Sequence, residues 1–275
     1  MNIFADVGGT KIRFASHKAG TETFSEPHVI ATPQTYEDAL HSFTDAAAQL
    51  CGGESLERLI VGIPAVLSRD RHSIIGAATH IKSWFNKNIA DDLKHHTQAQ
   101  EVYLENDVAL VGLGEAVYGA GKGARIVMYL TVSTGVNGVR IVDGHIDQGV
   151  YASTIGHQYL SGNPQEGTWE SKISGSSIEQ KYGVHPRDLG ADSPVWEELA
   201  AIVAQGVHNS ILHWSPDRLV LGGSMFNEIG ISPERVRLHL ENIMKAYPEL
   251  PEIQHSSLHD FGGLWGALAR LKQVS

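Results

Sequence analysis

A short stretch near the start of the chain, residues 3–14, limits the possible folds more than any other. It reads IFADVGGTKIRF, two apolar runs joined by an aspartate, two glycines and a threonine. Two apolar runs around a glycine turn predict a β-hairpin. Because glycine has no Cβ, the backbone N–H groups of Gly8 and Gly9 can approach an anion, and Thr10 and Lys11 add donors. Asp6, at the end of the first strand, suits a magnesium ion held through water.

The hairpin differs from the better-known phosphate loops. The P-loop and the Rossmann fingerprint both open a helix, whereas residues 12–15 here are the strand-like Ile-Arg-Phe-Ala. A strand–Gly-Gly-Thr–strand element is similar to the first phosphate motif of sugar kinases built on the actin/hexokinase fold. A tight hairpin without any ligand is the alternative interpretation of this stretch alone.

Composition narrows the class of protein. The chain has 275 residues, 42% of them hydrophobic, which is enough for two domains of ordinary size. Its net charge of −10 argues against non-specific nucleic-acid binding, which needs basic patches. Cys51 is the single cysteine, so no internal disulfide can form and a cytoplasmic location is expected. No run approaches the roughly 18 apolar residues of a membrane span, so no membrane partner is expected.

The order of elements predicts two α/β halves. In the first half, apolar patterns predict strands over 59–63 and 102–104 and helices over 35–50, 88–95 and 109–117. In the second half, they predict strands over 126–132, 139–142 and 219–221 and helices over 195–214, 233–246 and 261–271. Residues 153–182 are predicted to be irregular. The second half restarts with a strand–Thr-Gly turn–strand element that resembles the first. The predicted smaller N-terminal domain is 1–117 plus 261–275, and the larger C-terminal domain is 118–260, with a cleft between them.

Asp107 is the sharpest catalytic candidate. It follows Glu105 and Asn106 at the end of an apolar strand and the start of a helix, which is where clefts open in α/β sheets. A general base there can accept the proton of a sugar hydroxyl that attacks a γ-phosphoryl group. Asn106 could hold neighbouring hydroxyls. Helix capping by Asn or Asp is the simpler explanation, and position alone favours it.

Further candidates lie in the second half. Thr134 and Gly135 belong to a hydroxyl- and glycine-rich turn that could bind phosphates opposite the first turn, although it could equally be a decorated hairpin. Gly222 and Gly223 end a strand and could admit an adenine or ribose; a plain strand-to-helix connection is the alternative. His157 could hydrogen-bond a sugar or bind a metal ion, and Glu170 could bind two sugar hydroxyls; either could simply be a surface side chain.

Taken together, these motifs resemble those of the ROK family (repressors, open reading frames and sugar kinases). The matching segments follow the family's order along nearly the whole chain: residues 6–11, 61–64, 105–107, 114–115, 130–138, 143–144, 155–157, 216–223 and 264–267. The resemblance implies a two-domain actin/hexokinase-like fold, a duplicated ribonuclease H-like α/β architecture.

The resemblance also implies ATP-dependent phosphorylation of a hexose hydroxyl, usually the 6-OH. Asp107 would be the base. Asn106, His157 and Glu170 would hold the sugar, while Thr10, Thr134 and the glycines would hold the phosphates of ATP with Mg2+. The expected partners are a small-molecule sugar and a nucleotide. Dimers are frequent in the family, which leaves a homodimer open.

Several positions depart from the family pattern. Thr154 stands where family kinases usually carry a glutamate, and its single short arm could cost roughly 1–3 kcal/mol of sugar binding. His80 replaces a sugar-contacting asparagine found in many members. Ser133 and Asn137 replace glycines of the second phosphate motif. Residues 158–170 contain no cysteine, so the family's zinc site is not expected, and His157 keeps only its sugar role.

These departures leave alternatives open. Glucose or a close hexose is the default substrate, followed by N-acetylglucosamine or N-acetylmannosamine. A glucokinase that uses polyphosphate instead of ATP is an alternative. Its donor groove would need additional Lys and Arg residues, and no basic cluster is obvious in the sequence. A catalytically weak sugar-binding protein is the alternative of another class. A repressor is not expected, because the first motif begins at residue 3 and leaves no room for a DNA reader ahead of it.

Overall fold

The computed structural model describes residues 1–76, 81–227 and 230–274. The chain divides into two compact units. Unit 1 comprises Met1–Gly114, Gln148–Ala152 and Leu258–Ser275, and unit 2 comprises Glu115–Asp147 and Ser153–Ser257. These boundaries lie a few residues from the predicted ones, and the sequence pattern did not indicate that Gln148–Ala152 belongs with unit 1. His80, a predicted sugar contact, lies outside the described residues.

The strands fall into two five-stranded sheets and a short two-stranded one. They are β1 (Asn2–Val7), β2 (Lys11–His17), β3 (His28–Ala31), β4 (Arg58–Ile63), β5 (Val66–Leu67), β6 (Ile74–Gly76), β7 (Glu101–Asn106), β8 (Ile126–Val132), β9 (Val136–Val142), β10 (His145–Ile146), β11 (Arg218–Gly222) and β12 (Glu252–His255).

The helices connect these strands or cover the sheets. They are α1 (Tyr36–Cys51), α2 (Ile89–Thr97), α3 (Asp107–Val117), α4 (Trp169–Ile173), α5 (Gly175–Tyr182), α6 (Val195–Trp214), α7 (Pro233–Ile243) and α8 (Gly262–Val274). Within the described ranges, none of them has the length and apolar character needed to cross a membrane.

The sheet of unit 1 has the order β3-β2-β1-β4-β7. β1 is antiparallel to β2 and parallel to β4, and β4 is parallel to β7. Alternation along β1 directs Ile3, Ala5 and Val7 into the core that α1 and α2 share. The other face carries Asp6 and lies against α8. Alternation along this buried strand therefore points Asp6 away from the core that α1 and α2 share.

The sheet of unit 2 repeats this topology with the order β10-β9-β8-β11-β12. The β8–β9 hairpin is antiparallel, and β8, β11 and β12 run parallel. The hairpin thus occupies the position that β1–β2 occupies in unit 1. Its core is formed with α6 and α7. The repeat agrees with the predicted duplication of a strand–turn–strand element.

Two parts of the secondary structure differ from the prediction. Residues 153–182, predicted as irregular, contain the helices α4 and α5. The Thr168 side chain caps α4 by accepting from Ser171 N, and the Ser174 side chain caps α5 by accepting from Ser177 N. These helices are too short and too polar to give a clear 3.6-residue pattern. The four-residue strands β3 and β12 were not predicted either. Both are edge strands with largely exposed residues, so their hydrophobic alternation is weak.

Candidate active site

The first predicted phosphate motif forms the tip of the β1–β2 hairpin. Gly8 N donates to Lys11 O at 2.8 Å, and Thr32 braces the tip by donating its hydroxyl to Gly8 O at 2.7 Å and its N–H to Thr10 O at 3.0 Å. Gly9, Thr10 and Lys11 are exposed. Neither glycine has a positive φ, so a left-handed turn is not what requires glycine here. The tip presents small residues, a hydroxyl and one cation to solvent, as a phosphate loop needs.

Asp6 and Asp107 come together at the carboxyl ends of parallel strands in unit 1. The register pairs Asp6 with Gly62 and Gly62 with Glu105, and Asp107 follows two residues later as the first residue of α3. A Cβ built on Gly62 would lie 3.6 Å from Asp6 Oδ1 and 3.4 Å from Asp107 Cα. The bare backbone of β4 therefore lets the two acidic residues approach each other, at the edge where α/β sheets form their sites.

The environment of this pair raises both pKa values. Burial, together with the charge of Asp6, raises the pKa of Asp107 from 3.8 to about 7. Burial also raises the pKa of Asp6 to about 6, although Arg13, 3.9 Å away, opposes the shift. Arg13 also pairs with Asp260 at 3.3 Å. Two carboxyl groups that titrate near neutral pH suit general base chemistry, and such perturbed groups cluster at functional sites.

Asn106 fills the capping role that was predicted as the alternative for this segment. Its Oδ1 accepts from Ala109 N at 3.1 Å, and its Nδ2 donates to Ala65 O at 3.3 Å and to Asp107 Oδ1 at 3.2 Å. The side chain is buried. The amide therefore starts α3 and orients the neighbouring carboxylate. Its proposed contact with a sugar hydroxyl stays a prediction.

Glu105 is a residue of this site whose role the sequence analysis missed. Its side chain is 3% exposed. It accepts hydrogen bonds from Arg71 Nη1, from Asn106 N at 3.2 Å and from Gln148 Nε2 at 3.5 Å. It also forms an ion pair with Arg270, whose Nε lies 3.9 Å from Glu105 Oε2. A buried charge needs such partners. The network fixes the chain directly ahead of Asp107. The signals in the sequence are an acidic residue after the apolar run 102–104 and its place in the segment 105–107 that resembles the family motif.

In unit 2, the predicted second phosphate turn and the predicted sugar residues meet around Val136. The turn comprises residues 133–135, with Ser133 N bonded to Gly135 O at 2.8 Å and Thr134 exposed. Val136 N donates to Glu170 Oε2 at 2.7 Å. A Cβ on Gly156 would overlap Val136 O, which places the short 310 turn Ile155–His157 directly on β9.

The two predicted sugar residues beside this 310 turn are accessible. Thr154 precedes the turn and His157 ends it, and both are exposed. Within the described part of unit 2, neither side chain forms a hydrogen bond. Both side chains are therefore available to a ligand, and their sugar contacts stay predictions.

The glycines at the end of β11 have a structural role of their own. Gly223 has φ +94°, and a Cβ there would lie 2.6 Å from Thr131 Oγ1; a Cβ on Gly222 would lie 2.6 Å from the Tyr129 hydroxyl. They bring the end of β11 against β8 beside the second phosphate turn. This close packing explains the glycines without a nucleotide, so their contact with adenosine stays a prediction.

The predicted site residues divide between the two units. Unit 1 contains Asp6, Gly8, Gly9, Thr10, Lys11, Asn106 and Asp107, and unit 2 contains Thr134, Gly135, Thr154, His157, Glu170, Gly222 and Gly223. Among residues 1–76, 81–227 and 230–274, no three His, Cys, Asp or Glu side chains are grouped so that they could hold a metal ion directly. The magnesium ion that Asp6 is expected to hold through water stays a prediction.

Comparison with known proteins identifies the family. The ROK family model matches residues 3–274, so the chain belongs to the ROK family, and the resemblance found in its motifs is confirmed. A glucokinase of Thermotoga maritima is 23% identical over 275 residues, covering 86% of each chain. A fructokinase of Lactococcus lactis subsp. cremoris is 25% identical over 202 residues, covering 66% of this chain and 68% of the relative.

Solved structures confirm the predicted fold class. The ROK glucokinase of Streptomyces griseus, solved with glucose and AMPPNP, superimposes with a TM-score of 0.81 at 21% identity and covers 99% of each chain. The mixed α/β fold is therefore that of two-domain ROK sugar kinases.

The chain covers a smaller share of some relatives known from sequence. One from Bacillus subtilis (strain 168) is 28% identical over 162 residues, and the chain spans only about half of its length, 54%.

Proposed function

We propose that the protein is a sugar kinase that transfers the γ-phosphoryl group of ATP to a hexose hydroxyl, by default the 6-OH of glucose. One observation carries the proposal: Asp107 lies at the end of β7 with a pKa raised to about 7, beside the second carboxylate of Asp6. A base of that strength can take a proton from a sugar hydroxyl at neutral pH. The names of the ROK relatives support the reaction class, not the particular sugar.

Each group has a distinct task in the proposed reaction. Asp107 accepts the proton of the attacking hydroxyl, and Asn106 keeps that carboxylate oriented through the bond from its Nδ2. Asp6 would hold Mg2+ through water, and the ion would supply neutralisation of phosphate charge. Thr10 and Lys11 in unit 1 and Thr134 in unit 2 would hold phosphates, and Gly222–Gly223 would admit the adenosine. His157 and Glu170 would hold sugar hydroxyls.

The raised pKa of Asp107 predicts an acidic limit to the rate. The base must be ionised to work, so kcat/KM for the hexose should fall about tenfold per pH unit as the pH drops below about 7. Above pH 8 the carboxylate is ionised and kcat/KM should level off. The measurement is kcat/KM for the hexose from pH 5.5 to 9, because this ratio reports the pKa of the protein before the sugar binds. A flat profile between pH 5.5 and 8 would contradict a base with this pKa.

A substrate panel tests the proposed function. The protein is incubated with Mg2+, ATP and one of glucose, mannose, fructose, N-acetylglucosamine or N-acetylmannosamine, and ADP release is followed. We expect at least one unmodified hexose to stimulate release, and polyphosphate in place of ATP to support little transfer. If no sugar stimulates ADP release but one raises the melting temperature, the protein is a sugar-binding member without kinase activity.

Thr154 provides a test of the sugar-binding region. A glutamate at this exposed position would offer two acceptor oxygens where threonine offers one short arm. Thr154→Glu should therefore lower the KM for the preferred hexose about fivefold or more, since each unmet hydroxyl costs roughly 1–3 kcal/mol. Thr154→Gln, which has the same length without the charge, is the matched control and should give a smaller gain. An unchanged or higher KM in Thr154→Glu would remove this position from sugar binding.

A further inference from the structure

Glu170, which is predicted to bind sugar, contacts the second phosphate turn. It lies in the first turn of α4, and its Oε2 accepts the N–H of Val136 at 2.7 Å. Val136 is the first residue of β9 and directly follows the turn of residues 133–135. An ionised acceptor makes such a bond stronger than a neutral one would be. The turn is therefore tied to a side chain 34 residues further along the chain.

Two more hydrogen bonds from the same segment hold the turn. Gly175 N donates to Ser133 O at 2.6 Å, and Ser176 Oγ donates to Thr134 O at 2.9 Å. A Cβ on Gly135 would lie 2.9 Å from Glu170 Oε2, so the carboxylate is packed closely against the turn. Residues 170–176 thus bind polar groups on both sides of the exposed Thr134 side chain.

Capping of α4 does not account for the position of Glu170. Thr168 already fills that role, because its side chain accepts from Ser171 N. The carboxylate instead reaches out of its own helix to β9. Its second oxygen, Oε1, has no hydrogen bond within the described residues. A carboxylate offers about four acceptor positions, so Oε1 remains available to a sugar hydroxyl while Oε2 holds the turn.

We infer that Glu170 is a positioning residue for the nucleotide: it fixes the second phosphate turn through Val136, in addition to any contact with sugar. This inference rests on the proposed function, because it assumes that the turn binds phosphate. It predicts that loss of the acceptor at position 170 weakens nucleotide binding even when no sugar is present. A residue that only binds sugar would not have this effect.

The test separates the hydrogen bond from the charge. Binding of AMPPNP with Mg2+ is measured by calorimetry without sugar for the wild type, Glu170→Ala, Glu170→Gln and Glu179→Ala. We expect Glu170→Ala to raise the Kd about tenfold, the scale of one charge-assisted hydrogen bond. Glu170→Gln should stay within about threefold of the wild type, because its amide oxygen can still accept from Val136 N. Glu179→Ala, which makes the same change at an exposed glutamate of α5, should leave the Kd unchanged.

Amide hydrogen exchange at Val136 gives a second readout that needs no nucleotide. Protection of this amide should fall in Glu170→Ala and persist in Glu170→Gln. If Glu170→Ala binds AMPPNP as tightly as the wild type, or if Val136 keeps its protection there, the inference is overturned while the kinase proposal stands. If Glu170→Gln is as weak as Glu170→Ala, the acceptor role is likewise overturned. A wild-type protein that binds no nucleotide would instead overturn the proposed function.

Discussion

Asp107→Asn should lower kcat about 100-fold or more while leaving the affinity for sugar within about threefold. The amide keeps the size of the carboxylate and can still hydrogen-bond, but it cannot accept the proton of the attacking hydroxyl. Initial rates of ADP release give kcat, and calorimetry with sugar alone gives the affinity. A loss confined to kcat is what removal of a general base predicts.

Two controls support the interpretation of this variant. Asp45→Asn makes the same change at an exposed position on α1 and should leave the rate unchanged. Asp107→Asn should also be at least as stable as the wild type at pH 8. The raised pKa means that ionisation of Asp107 between about pH 4 and 7 disfavours the folded state, and the neutral amide avoids that cost. If Asp107→Asn keeps a near-normal kcat, Asp107 is not the general base.

Gly266→Ala should lower the free energy of unfolding by about 3 kcal/mol or more, a larger effect on stability than is expected for any other variant proposed. In unit 1, α8 and α3 cross with their backbones in contact. A Cβ on Gly266 would overlap the carbonyl of Leu110, and a Cβ on Gly114 would lie 2.5 Å from Gly262 O. Backbone atoms cannot rotate away as a side chain can, so the added methyl group must push the helices apart. The measurement is the free energy of unfolding by denaturant, with an expected fall in Tm of roughly 5–10 °C.

The same contact supports the acidic pair. α3 begins at Asp107, and a Cβ on Gly263 of α8 would lie 2.6 Å from Asp6 Cγ. Displacement of α8 should therefore reduce kcat as well as stability. Gly162→Ala is the matched control, because no heavy atom lies within 4 Å of the added Cβ and φ is not positive; its Tm should change by about 1 °C or less. Equal stability of the two variants would show that the α3–α8 contact can relax without cost.

Local sequence patterns predicted the elements that carry the candidate site residues. The β1–β2 hairpin with its Gly8–Thr10 tip and the strand that leads into Asp107 were both indicated by apolar runs with polar residues at their ends. The helix α6 was predicted over its full length because its apolar residues recur every three or four positions. The choice between capping and chemistry at Asn106 and Asp107 needed the structure, which shows Asn106 as the cap.

Contacts between distant parts of the chain could not be predicted in this way. Arg71 and Glu105 are 34 residues apart, as are Val136 and Glu170, and neither pair belongs to a periodic pattern. Their partners are set by how the strands and loops pack. The approach of Asp6 to Asp107 depends on a third strand, β4, and on the absence of a side chain at Gly62. Residue types therefore indicated the proposed chemistry, while the pKa values of Asp6 and Asp107 depend on tertiary packing.

The most direct test of Asp107 as the base of a sugar kinase follows the γ-phosphate of labelled ATP. The wild type, Asp107→Asn and Asp45→Asn are each incubated with Mg2+, the stimulating hexose and ATP labelled at the γ position, and the products are separated. We predict that the label enters a hexose monophosphate with the wild type and Asp45→Asn, and does so about 100-fold more slowly with Asp107→Asn. Label found only in inorganic phosphate, or transferred by Asp107→Asn at the wild-type rate, would contradict the account.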